Sequence, residues 1–145
     1  MKLFKITLSI ILLSLVHQSY AQDKYLKDIE SAKLISRDVT QLFKENKINE
    51  AINIIRPYWP IPLNEIDNME SKTIQSLNLI SERFGKPEGI VKVNEQNIKE
   101  TALRETYILK FENTAIRLIF TYYKNNMGWI LNAFKWDDNF YEEFK

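Results

Sequence analysis

The sequence predicts an α+β domain in which amino-terminal helices pack on one face of a curved, four-stranded antiparallel sheet. Three observations carry this. Between positions 26 and 84 apolar residues recur mostly at steps of three and four, the period of a helix seam. After Gly89 the pattern changes to strict alternation, the period of a half-buried strand. Turn-forming residues such as Asn125-Asn126-Met127-Gly128 separate the alternating runs. Helices first and a meander second, without internal repeat or linker, predict one domain over residues 22–145.

Residues 1–21 stand apart from that domain. Lys2 and Lys5 supply a basic start, residues 6–16 are apolar except for Thr7, Ser9 and Ser14, and Ser19-Tyr20-Ala21 places small residues where a signal peptidase reads. The expectation is a secretory signal peptide cut between Ala21 and Gln22, and a protein exported to the periplasm or the extracellular space. The apolar run falls short of the roughly 20 residues that cross a bilayer. No Cys follows it, so no lipid or membrane anchoring is expected after cleavage.

From residue 23 to 45, Leu26, Ile29, Ile35, Val39, Leu42 and Phe43 outline one amphipathic helix. Lys44-Glu45-Asn46-Lys47 interrupts it, and Ile48, Ala51, Ile52 and Ile55 mark a second, shorter helix that Pro57 ends. Arg56-Pro57-Tyr58-Trp59-Pro60-Ile61-Pro62 reads as an extended connection pinned by its rings. Asn64 then caps a third helix along Ile66, Met69, Thr73, Leu77, Ile80 and Phe84, closed by Gly85 and Pro87.

Ile90, Val91 and Val93 open the first strand, and the polar residues 94–99 are expected to turn the chain. Leu103, Glu105, Tyr107, Leu109 and Phe111 alternate with Arg104, Thr106, Ile108 and Lys110 in a second strand. In a third, Ile116, Leu118, Phe120 and Tyr122 face one way and Arg117, Ile119, Thr121 and Tyr123 the other. Residues 129–137 form the last strand. There Trp129, Leu131 and Ala133 on one side and Ile130, Phe134 and Trp136 on the other are both apolar, which suggests cover on both sheet faces.

Composition excludes several chemistries. With 45% hydrophobic and 27% charged residues the chain is globular. Removing Lys2 and Lys5 from the 20 Lys and Arg leaves 18 against 19 Asp and Glu, so nothing attracts nucleic acid at long range. The one His, His17, lies in the signal segment and Cys is absent, so residues 22–145 lack the imidazole and thiol of Ser-His-Asp and Cys-His systems. A zinc site would need carboxylates alone, which suit hard cations better. No metal and no cofactor is expected. Gly85, Gly89 and Gly128 are caps and turns, not a phosphate loop.

The element order resembles the cystatin-like or nuclear-transport-factor-like cone, and looks most like short exported bacterial domains of uncharacterised function. The resemblance runs from about residue 25 to 137 and rests on topology, together with Arg56-Pro57-Tyr58-Trp59-Pro60, Glu82-Arg83-Phe84-Gly85-Lys86-Pro87 and Gly128-Trp129-Ile130-Leu131-Asn132. Full-size members place strands between the second and third helices, and residues 57–62 leave no room for a hairpin. The resemblance brings no catalytic motif.

Asp137-Asp138 is the one local carboxylate pair, but neighbours on a strand point to opposite faces, so the two do not share a site. Tyr58 and Trp59 either plug the end of the core or wall a ligand site, with Arg56 beside them. Glu105, on an otherwise apolar strand face, is expected at its edge, paired with an Arg or Lys. On the opposite face Ile108, Ile119 and Tyr123 form an apolar strip flanked by Arg104 and Arg117, the make-up of a contact surface. The cover for that face is a second copy, a protein partner or the Asn139-Phe140-Tyr141 tail. The function expected is an exported binding or interaction domain without catalysis. The rivals are a cone-type hydrolase or isomerase using Asp137, Glu105 or a Tyr as base, and a structural or inhibitory envelope protein.

Overall fold

Asp28 accepts hydrogen bonds from the Ser31 backbone N–H at 2.8 Å and from the Ser31 hydroxyl at 2.6 Å, and so caps helix α1 (Ile29–Lys44). The computed structural model describes residues 24–144; the signal peptide expected over residues 1–21 and the cut expected after Ala21 lie outside the described residues. The helix starts later than the expected residue 23 because this cap stops it, and Leu26 ahead of it pairs instead with Trp129 in an isolated antiparallel bridge. Val39 and Phe43 are buried as expected, joined by Ala32, Ser36 and Thr40. The two hydroxyls sit there without penalty: Thr40 Oγ1 donates to the Ser36 carbonyl at 2.7 Å, and Ser36 Oγ shares a hydrogen bond with the Tyr122 hydroxyl at 3.0 Å.

Helix α2 (Ile48–Ile55) buries Ile48, Ala51, Ile52 and Ile55, the four residues its spacing marks. The proline segment differs from the extended form expected. It opens as a 3₁₀ turn over Arg56–Tyr58, since Pro57 near the start of a helical turn needs no N–H donor, and only then extends. Helix α3 (Leu63–Phe84) begins directly after Pro62, with Asn64 inside its first turn rather than capping it. Gly85, at φ 87°, ends it.

Strands β1 (Pro87–Ile98), β2 (Ala102–Phe111), β3 (Ala115–Asn125) and β4 (Gly128–Asp137) pair antiparallel in sequence order and the sheet is not closed. β1 runs on through the polar residues 94–98 that read as a turn. It is an edge strand with no buried side chain, so polar residues cost it nothing and its pairing with β2 suffices. The turn comes at Lys99 and Glu100, both at positive φ.

One face of the sheet carries the core. Leu103, Glu105, Tyr107, Leu109 and Phe111 of β2 and Ile116, Leu118, Phe120 and Tyr122 of β3 are all buried, as alternation predicts. The two-sided look of β4 comes largely from its register, although the carboxyl-terminal turn does fold back over part of the outer face, as one of the expected covers. The register passes from Tyr122 opposite Leu131 to Thr121 opposite Ala133, so Asn132 is an extra, unpaired residue. This bulge reverses the side-chain parity and lets Leu131, Phe134 and Trp136 oppose Tyr122, Phe120 and Leu118 on the same face. Phe134 is the hub, with ring centroids of Phe120, Phe43 and Trp59 at 5.0, 5.6 and 6.3 Å. After β4 a 3₁₀ turn over Phe140–Phe144 packs against β3. Among the described residues no helix is long and apolar enough to cross a membrane.

Candidate functional site

Two concavities bring chemistry-bearing residues together. The first is a groove of about 510 Å³ framed by the proline segment, where Tyr58 and Trp59 face Tyr25, Leu63 and Ile130. Trp59 meets both earlier descriptions, plug and wall. Its indole stands edge-on to Phe134 at an interplanar angle of 88°, and the side chain, half-buried, also lines the groove. Arg56 fixes the turn to α3 through Asp67 at 2.6 Å and Glu70 at 2.8 Å, and Asn49 Nδ2 donates to the other Glu70 oxygen at 2.6 Å. The turn is therefore held from both sides, by ion pairs on α3 and by a ring in the core.

The second is a cavity of about 400 Å³ between α1 and the first two strands. Glu30, Lys33, Leu34 and Arg37 reach it from α1 at the i, i+3, i+4, i+7 spacing of one helix face, Lys92 from β1, and Glu105 and Tyr107 from β2. Glu105 is not at the edge, as the sequence led us to expect, but 0% exposed. Its expected cation is present: Lys92 Nζ lies 2.6 Å from Oε1. Lys92 also pairs with Glu95, which holds Lys33 at 2.7 Å. Burial works against the charge on Lys92, but contact with Glu105 and Glu95 outweighs it and raises its pKa above the usual lysine range. The Tyr107 hydroxyl is pushed up to about 12, by burial first and by the Glu105 charge second. Burial likewise raises Tyr122. Both phenols are thus neutral hydrogen-bonding groups at ordinary pH rather than ready bases.

The outer sheet face distributes its expected residues unevenly. Arg117 and Ile119 were expected on an open strip and are 4% and 2% exposed within the single chain. Arg117 makes a two-pronged pair with Asp137, Nε to Oδ1 at 2.8 Å and Nη2 to Oδ2 at 3.0 Å, and a third bond to Glu143 of the carboxyl-terminal turn at 2.6 Å. Asp137 is thereby held below the usual carboxylate range, chiefly by that guanidinium. Asp138 beside it is exposed, so the two carboxylates do not share a site. Arg104 and Tyr123 remain exposed at the far end of β2 and β3 from Ile108, which opposes Arg117 and is half-buried. The seven candidates therefore form no single patch: Tyr58 and Trp59 share the groove, Ile108 sits beside the Arg117 clamp, and Arg104 lies near Tyr123.

Comparison of the chain with protein families, with curated proteins and with solved structures finds no match. The architecture is compatible with an α+β cone, and the site stands on its geometry alone. Sequence reasoning noticed Glu105 but not Lys33, Lys92 and Glu95 around it. A carboxylate on an apolar strand face was the available signal, since such a group must find a cation on a neighbouring element.

Proposed function

We propose that the chain is a small exported module that binds a ligand without catalysis, and that its site is the groove at Tyr58 and Trp59. The observation that supports this most is the mounting of Trp59: one edge packed on Phe134, its backbone framed by Pro57, Pro60 and Pro62, and its side chain part of an apolar wall. A rigid segment presenting rings loses little entropy when a ligand settles on it. Arg56 is occupied by Asp67 and Glu70, which leaves Lys24 as the lining cation without a carboxylate partner among the described residues. The fitting ligand is therefore a small ring-bearing molecule, neutral or singly anionic. Titration with anilinonaphthalene sulfonate tests this. Saturable binding that is lost in Trp59→Ala and weakened in Tyr58→Ala, with circular dichroism unchanged, is the expected result; a folded Trp59→Ala that binds as well as the parent overturns the reading.

A second reading, a protein partner or second copy on the outer sheet face, is favoured by one observation, the exposure of Tyr123 (43%) close to exposed Arg104. Sedimentation at high concentration separates the two readings. A dimer that Tyr123→Lys turns into a monomer supports the sheet face, and a monomer throughout removes the second copy.

A further inference from the structure

We propose that the outer sheet face and the groove together form one docking surface, for a helix of another protein that carries an apolar seam flanked by carboxylates. This deepens the second reading, a protein partner on the outer face, and rests on it; it does not need the groove to hold a small ligand. Continuity, spacing and charge point to this partner.

The register sets Ile98 opposite Ala102, Ala102 opposite Tyr123, and Tyr123 opposite Ile130, so one apolar row crosses all four strands on the face away from the helices. The row is open: Ile98 is 65% and Tyr123 43% exposed, and Ala102 and Ile130 are half-buried. Ile130 also lines the groove, where the exposed Tyr25 and Leu63 carry the apolar surface on. Row and groove are therefore one band. A continuous apolar band marks an interaction site, where single scattered side chains do not.

Spacing selects a helix. Neighbouring strands stand about 4.8 Å apart, so the row advances about 14 Å over its three steps. A helix seam advances about 5.4 Å per turn and stays within about 2 Å of the row over that distance. Same-face residues of an extended chain lie about 6.7 Å apart and overrun it by about 6 Å. A helix thus meets the row side chain for side chain, and a large residue at the end of its seam enters the groove. Charge selects carboxylates beside that seam. Lys99 at one end of the band, Arg104 on its flank and Lys24 at the groove are exposed and have no carboxylate partner among the described residues. Glu100, in the same turn as Lys99, lines a hollow on the helix side of the sheet with Lys27 and Lys124. A second copy offers no such helix, because its own three helices turn their apolar seams into the core. A flat anionic bilayer does not enter the groove.

The test follows the fluorescence anisotropy of a labelled synthetic peptide of about four helical turns, with Leu at steps of three and four, Trp at the end of that seam and Glu elsewhere. The same residues in scrambled order, a version with Lys for Glu, and phosphatidylglycerol vesicles are titrated in parallel. Saturable binding of the seam peptide alone is expected, with affinity lowered roughly fivefold or more in Ile98→Asp and in Arg104→Glu. Both positions are exposed, so the core is untouched, and Leu79→Asp, on an exposed part of α3 outside the band, should bind as the parent does. Absence of saturation, equal binding of the scrambled or Lys peptide or of the vesicles, or unchanged affinity in folded Ile98→Asp and Arg104→Glu overturns the proposal. Sedimentation of the same samples separates it from the reading beneath it. A dimer that Ile98→Asp dissociates keeps the outer-face reading and overturns the helix as its occupant; a monomer that binds none of the probes overturns both.

Discussion

Ser36 shows how much rests on one hydroxyl. Its bond to the buried Tyr122 hydroxyl ties α1 to β3 across the core, and Ser36→Ala leaves that phenol without a partner. Urea unfolding should record a loss of about 1–3 kcal/mol, largely regained in Ser36→Ala with Tyr122→Phe, because removing both partners leaves nothing unsatisfied. Asp137 gives the pH counterpart. Its folded pKa lies below the ordinary 3.8, so the ionised carboxylate contributes stability that is fully present above that pH and is lost as pH falls through the lowered value. Acid titration of stability should therefore be flatter in Asp137→Asn, and an unchanged acid limb would place the linkage on other groups. At this scale the sequence was only partly legible. Alternation put Glu105 on the helix side of β2 correctly, but its depth depends on Lys92 of another strand. Arg117 was placed on an open strip, although the tail that covers it through Glu143 was among the covers expected for that face; which of them it is depends on a carboxyl-terminal turn that alternation does not fix.

Among the elements, the three helices and strands β2 and β3 were readable because each has one face that must be apolar, and the period of that face is its signature. β1 was cut short for the opposite reason: an edge strand held by backbone bonds has no apolar period in residues 94–98 to read. β4 was misread through its bulge, since one unpaired residue reverses parity and makes a single buried face look like two. Deleting Asn132 should force Trp129 and Leu131 onto the face opposite Phe134 and Trp136. A large fall in melting temperature, with loss of cooperative unfolding, is expected; a variant melting like the parent would mean the bulge is dispensable. Gly128 is a second fixed point of this strand. At φ 145° a Cβ would stand 2.8 Å from the Leu26 carbonyl oxygen, so Gly128→Ala should loosen the Leu26–Trp129 bridge, seen as faster hydrogen exchange at the Leu26 and Trp129 amides.

For the molecule as a whole, the open sheet needs every strand, since β4 supplies Phe134, on which α1, the proline turn and β3 converge. A chain stopped after Asn125 should show helix by circular dichroism but no cooperative melting transition, and a sharp transition would show that β4 is accessory. The paired bonds between Leu26 and Trp129, at 2.8 and 2.9 Å, join the first described stretch of the chain to the start of β4. The meander before them is built from neighbours in sequence, but this clasp joins residues far apart in the chain and carries the larger loop-closure cost. For an exported module of the kind proposed, a chain whose clasp is still open is one that can be threaded, and the fold closes after passage.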